Sequence, residues 1–215
     1  MARIVFDLDG TLIDSAPDIQ AVANATLAGI DKAPLSLAET RSFIGNGAPT
    51  FVRRMIAARN VDEALFDTLL AEFKTRYVDA VELTVVFDGV REALDALRGA
   101  GHSLGICTNK PIAPTHSVLA HLKMDSLFDA VIGGDSLPVH KPDAAPLHAA
   151  LKALNSNAAP IYVGDSEVDA QTAVNAAVPF VFYTGGYHKT PLDSIPKQAG
   201  FDHHTDMVRA FESLL

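Results

Sequence analysis

The chain is 215 residues long, 48% of them hydrophobic and 20% charged, a mix that supports a buried core and excludes a disordered chain. Length allows one domain, or one domain carrying a substantial insertion. The formal net charge of −9 leaves no basic face to displace counterions from a phosphate backbone, which excludes a nucleic-acid binder but not a small anionic substrate, because a bound cation can reverse the field within a site.

The predicted elements begin with a strand at Ile4–Phe6. Asp7 and Asp9 interrupt the apolar stretch Ile4–Leu12, so no signal-peptide core is expected there. No apolar run approaches the roughly 20 residues of a membrane span. From Pro17 to Val81 there is no strand pattern. Ile19, Val22, Ala23, Thr26 and Leu27 trace one helical face, and Phe66, Leu69, Leu70, Phe73 and Tyr77 another. Asp88 is the expected cap of a helix that buries Val90, Ala93, Leu94 and Leu97 and ends at Gly99–Gly101. Strands are predicted at Ser103–Cys107, Ala130–Ile132, Ile161–Val163 and Phe180–Phe182. A helix is predicted over Pro142–Leu154, with proline in its first turn.

Such near-continuous apolar runs suit strands buried on both faces of a parallel sheet. Their alternation with helices predicts a doubly wound, Rossmann-like α/β core from residues 1–16 and 82–215. Residues 17–81 form a small helical cap over the carboxyl ends of the strands, where ligands bind in open sheets. The single cysteine, Cys107, has no disulfide partner and lies in an apolar run. That predicts a buried, inert thiol and a cytoplasmic setting. His203 and His204 are expected at the surface.

The chemistry concentrates at the ends of the predicted strands. The first strand runs into Asp7-Leu8-Asp9-Gly10-Thr11. An isolated Asp-Gly would mean only a turn, but residues i and i+2 of an extended chain project to one side. Two carboxylates converging there call for a hard cation between them. Gly164-Asp165-Ser166-Glu167-Val168-Asp169 carries two more acids at a strand end and one turn into a helix, where both feel the N-terminal dipole; Asp165 alone could be no more than a cap. Thr108-Asn109-Lys110 follows another strand, where a hydroxyl and backbone N–H groups can hold a phosphate. Lys141 precedes a helix and offers a mobile point charge.

Taken together, Asp7-x-Asp9-Gly10-Thr11, Thr108, Lys141 and Gly164-Asp165-Ser166-x-x-Asp169 resemble the four-motif signature of the haloacid dehalogenase superfamily of phosphatases. The resemblance spans nearly the whole chain, and residues 17–81 look like that family's C1-type cap. It implies a Mg²⁺-dependent phosphatase acting on a small phosphate ester. Asp7 would be the nucleophile and Asp9 the acid and base. Gly10, Thr108, Asn109 and Lys141 would hold the phosphoryl group. Asp7, the Asp9 carbonyl and Asp165 would hold Mg²⁺, with Asp169 a ligand through water or a partner behind the ligands. Phe6–Asp14, Thr108-Asn109-Lys110-Pro111, Gly133-Gly134-Asp135 and Gly185-Gly186-Tyr187 are similar to bacterial phosphoglycolate phosphatases, which points to 2-phosphoglycolate. Gly45-Asn46-Gly47 then resembles the substrate-specificity loop, and Arg53 or Arg54 is expected to meet a substrate carboxylate. Two departures are Val85-Val86-Phe87-Asp88-Gly89 in place of a proline-rich turn, and Ala177 where glycine is common.

Asp9 argues against a hydrolytic dehalogenase and against a phosphonate hydrolase of the same superfamily, since the first lacks this aspartate and the second replaces it. A phosphosugar mutase or a sugar-phosphate phosphatase would keep every core motif. A non-catalytic binding or regulatory protein would have lost Asp7, Asp9 or Asp165. Monomer and homodimer both remain open, and no membrane partner is expected.

Overall fold

The computed structural model describes residues 1–212 and 214. In chain order the strands and α-helices are β1 (Ala2–Phe6), β2 (Ile13–Asp14), α1 (Ala16–Ala28), α2 (Leu37–Phe43), α3 (Gly47–Ala58), α4 (Phe66–Tyr77), β3 (Val85–Val86), α5 (Val90–Gly99), β4 (Ser103–Cys107), α6 (Ile112–His121), β5 (Ala130–Ile132), α7 (Ala144–Ala153), β6 (Ala159–Gly164), α8 (Glu167–Ala176), β7 (Phe180–Tyr183), β8 (Ala199–Phe201) and α9 (Met207–Glu212). Six strands form one parallel sheet in the order β5-β4-β1-β6-β7-β8. This is the doubly wound α/β fold expected from the alternation of strand and helix.

Burial explains why the strands read as continuous apolar runs. Ile4 and Phe6 face one cluster with Leu94, Leu104, Ile106 and Phe211, while Val5 faces another with Leu147, Tyr162, Phe180 and Phe182. Both faces of the sheet are therefore covered. Parallel pairing sets Phe6 level with Ile106 on one side and Val163 on the other. The residues that leave β1, β4 and β6 consequently emerge at one edge, and that is where Asp7, Thr108 and Asp165 stand.

Helices α1 to α4 bury a cluster of their own, centred on Leu27, Phe51, Val52, Met55 and Phe73, with the rings of Phe51 and Phe73 at 5.2 Å. The chain enters and leaves this layer through β2 and β3, which pair antiparallel, Ile13 with Val86 and Asp14 with Val85. Buried Asp18 on α1 fastens the returning segment by accepting from Leu83 N at 3.0 Å and Thr84 Oγ1 at 2.6 Å.

Local starts differ from the sequence expectation in two places. Gly89, not Asp88, stands at the start of α5, with φ 80. Helix α7 starts after Pro142, because the Asp143 carboxylate caps it by accepting from Ala145 N at 2.8 Å. The short β2, β3 and β8 were not anticipated, since two or three residues carry no periodicity. His204 is buried rather than on the surface. Its Nε2 lies 2.7 Å from the Thr11 carbonyl, inside a cage of Phe87, Tyr183 and Phe201. Among the described residues no helix is long and apolar enough to cross a membrane.

Candidate active site

Asp7 follows β1 directly and is 8% exposed. Lys141 Nζ lies 2.9 Å from its Oδ1. The approach is at ion-pair distance but off the direction of a hydrogen bond, and this buried oxygen has no hydrogen-bond donor. Burial pushes the Asp7 carboxyl up to about 7; Lys141 pulls it back and Asp169 adds to the rise.

Asp165 follows β6. Its Oδ1 accepts from Thr11 Oγ1 and its Oδ2 from Tyr187 N, both at 2.6 Å. Burial, with Asp169 and Asp7 nearby, drives its carboxyl well above the usual carboxylate range. Two glycines make room for it. A Cβ on Gly10, whose φ is +87, would come within 2.5 Å of Asp165 Oδ2, and one on Gly186 within 2.2 Å of Asp165 Cβ.

Asp169 is wholly buried and both its oxygens are engaged. Oδ1 accepts from Lys141 Nζ at 2.6 Å and Tyr162 OH at 2.7 Å, while Oδ2 closes a capping box with Ser166 at the start of α8. Asp169 and Asp7 hold the Lys141 ammonium well above its usual range, although burial opposes its charge.

Ligand atoms of Asp7, Asp165 and Asp169 lie within 4.8 Å of one another. Three buried carboxylates against one lysine leave excess negative charge, and Asp7 Oδ1 lacks a donor. A divalent cation taking oxygen ligands fits this donor set. Each Asp169 oxygen already accepts two hydrogen bonds, whereas each Asp165 oxygen accepts one and keeps a lone pair for an ion.

Asp9 is not one of the three clustered acids. Its Oδ1 accepts from Ser15 Oγ at 2.6 Å and from Lys110 Nζ at 3.2 Å. Asp7 and Asp9 nevertheless line one cavity of about 40 Å³, on a scale where a single water takes roughly 10–15 Å³. Thr108 and Asn109 form its floor. Ile19, Phe51, Phe73 and Tyr77 form its roof, together with the loop that carries Gly45. The Asn109 side chain is a brace: its amide donates to Gly45 O at 2.9 Å and Lys141 O at 3.0 Å, and its Oδ1 accepts from Lys141 N.

Three predicted contacts fall elsewhere. Gly10 is pressed against Asp165 and does not line the cavity. Arg53 points outward, paired with Glu63 and stacked on Phe66 with its guanidinium carbon 3.9 Å from the ring centre. Asn46 also lies outside the cavity wall; its Oδ1 accepts from Arg54, whose other nitrogen donates to Phe43 O. Arg54 thus ties down the loop instead of facing a substrate. Sequence reasoning gave no role to Lys110, Tyr77, Ser15, Thr11 or Tyr162. The one available signal was Lys110 beside Thr108-Asn109 after a strand. Cys107 is buried, its thiol pushed up to about 12 by burial.

Comparison with known proteins places the chain in a family. Residues 4–183 match the family model for haloacid dehalogenase-like hydrolases, and the chain belongs to that family. The curated relatives narrow this to phosphatases. A phosphoglycolate phosphatase of Cereibacter sphaeroides (strain ATCC 17029 / ATH 2.4.9) is 44% identical across the whole of both chains. That of Rhodobacter capsulatus is 47% identical over 92% of this chain and 91% of its own. Among solved structures, a predicted phosphoglycolate phosphatase from Haemophilus somnus 129pt superposes with a TM-score of 0.89 at 29% identity, covering 97% of each chain.

Proposed function

We propose that the enzyme is a Mg²⁺-dependent phosphatase that hydrolyses 2-phosphoglycolate through an aspartyl-phosphate on Asp7. The observation that carries this reading is Asp7, buried beside Lys141 and lining one small cavity with Asp9 and Thr108. A carboxylate so placed, its charge balanced by a lysine, is suited to act as a nucleophile.

Asp7 attacks phosphorus while the ester P–O bond breaks, and Asp9 gives its proton to the departing alkoxide. Water then attacks phosphorus, Asp9 takes its proton, and phosphate leaves Asp7. Lys141 balances negative charge beside Asp7 throughout. Thr108 Oγ1 accepts only from Lys110 N, at 3.2 Å, which leaves its own proton for a phosphoryl oxygen. Asp7, Asp165 and the Asp9 carbonyl would hold Mg²⁺, which when bound would supply charge neutralisation beside the phosphoryl group. Residues 17–81 act as the cap: their apolar roof excludes water, which strengthens each polar contact below. The small cavity favours a short ester over a hexose phosphate.

Phosphate release measured across 2-phosphoglycolate, ethyl phosphate, and pentose and hexose phosphates tests the proposal. The acid should show the highest kcat/KM. A sugar phosphate with the higher value, or interconversion of sugar phosphates without phosphate release, would overturn the substrate assignment.

A further inference from the structure

Every cationic group near the cavity except one is held away from its lining. Lys141 serves Asp7 and Asp169, Arg53 is on the outer surface, and Arg54 holds the Gly45 loop. Lys189 lines the neighbouring space above Asp165, with its Nζ donating to Ile44 O at 2.6 Å. The exception is Lys110, 5% exposed, which pairs with Asp9 at 3.2 Å and is the one cation lining the cavity among the described residues.

An ammonium has three N–H donors. Lys110 directs one to Tyr77 OH at 2.6 Å and one to Asp9 Oδ1 at 3.2 Å, so one has no partner among the described residues. Tyr77, buried at the end of α4, is in the same condition. Its oxygen accepts from Lys110, and its own proton has no acceptor among the described residues. Two donors, one of them charged, thus adjoin on a wall whose other members include Ile19, Phe51 and Phe73. Those side chains offer no acceptor, and the carboxylates on the same wall, Asp7 and Asp9, leave the third Lys110 donor and the Tyr77 hydroxyl proton unused. In such surroundings an unmatched donor favours a ligand that brings an anion.

We propose that Lys110 and Tyr77 together recognise the second, acidic group of the substrate, which for 2-phosphoglycolate is its carboxylate. This rests on the reading of the site as a phosphatase for a small ester. The pair spans the seam between the two layers, since Tyr77 belongs to the helical layer and Lys110 to the loop after β4. The recognition element is therefore complete only when the layers are together. A hydrogen bond to a charged group is worth on the order of ten- to a hundredfold in affinity, which sets the size of the effect.

Two non-hydrolysable probes isolate it: 3-phosphonopropionate, which keeps the acid, and propylphosphonate, which replaces it by a methyl. Calorimetry in the presence of Mg²⁺ should show the native enzyme preferring the acidic probe at least tenfold. Lys110→Met should bring the ratio near one, Lys110→Arg should restore part of it, and Tyr77→Phe should reduce it severalfold. Tyr77→Phe removes a single oxygen and carries the test where Lys110→Met does not fold. A folded Lys110→Met or Tyr77→Phe enzyme that keeps the native ratio overturns the proposal, and so does a native enzyme with no preference. The substrate reading fails separately. If a sugar phosphate is hydrolysed best while Lys110→Met still abolishes the acidic preference, the role of Lys110 stands and 2-phosphoglycolate does not. If 2-phosphoglycolate is best and the variant's ratio is unchanged, the reverse holds.

Discussion

Lys141 Nζ donates to Asp169 Oδ1 over 2.6 Å, with 2% and 0% of the two side chains exposed. Asp169 never reaches the cavity, yet it fixes where the ammonium sits and so where positive charge meets Asp7. A buried pair of this kind contributes little net stability when intact, but losing one partner strands the other without solvent.

Asp169→Asn should therefore destabilise the protein by about 3–5 kcal/mol, read from urea unfolding. Lys141→Met/Asp169→Leu should cost clearly less than the two single changes added together. Simple additivity would show that the pair is not coupled.

Asp7→Asn and Asp9→Asn should each reduce turnover to below a few per cent, for different reasons. The first removes the nucleophile and the second the proton transfer, and each keeps the side chain's shape. Trapping with fluoride-based phosphoryl analogues should still order the Asp9 variant. A folded variant of either kind that retains more than a few per cent of turnover would sink the assignment.

The raised Asp7 carboxyl gives stability a pH dependence with a definite sign. Between the ordinary value near 4 and about 7, the folded protein without metal holds a proton on Asp7 that the unfolded chain has released. Stability from this group is thus present at low pH and lost as pH rises through about 7. Asp165 shifts in the same direction. In chelator, the stability of the native protein minus that of Asp7→Asn should fall from pH 4 to pH 8. The subtraction removes His102 and His204, which burial holds below the usual imidazole range in both proteins. At pH 8, Mg²⁺ at about a hundred times its Kd should recover about 2.7 kcal/mol. A flat difference curve and no response to Mg²⁺ would contradict the geometry of the cluster.

Ala177 closes α8 in the left-handed region, at φ 54, and is exposed. A side chain there costs roughly 1–2 kcal/mol, partly offset because glycine would loosen the unfolded chain. Ala177→Gly should raise stability by about 0.5–1 kcal/mol, or roughly 1–4 °C in Tm, without changing kcat. A lower Tm would mean that the turn carries no strain.

The core was legible because its chemistry is local. Asp7, Thr108 and Asp165 each close an apolar run, and a parallel sheet in register brings run ends to one edge. What failed to show in the sequence depends on chain segments far apart. Nothing near Lys110 indicates that Tyr77 will meet it, because that contact is set by how α4 packs on α1 and α3. Arg53 was misplaced for the same reason: helical periodicity gives a face, while Glu63 and Phe66 decide which face is outward. The partners of Asp9, Ser15 and Lys110, were equally hidden, because the chain turns after β1, with Leu12 N donating back to Leu8 O.

The pairing of Ile13–Asp14 with Val85–Val86 brings together the two points where everything from Ser15 to Thr84 departs and returns. To the sheet, that whole excursion is a loop whose ends already touch. A short turn could replace it without stretching a single core strand. Roofs of other sizes could be spliced in at the same doorway, so substrate choice can diversify by exchange of one cassette while the phosphoryl-handling floor beneath stays unaltered.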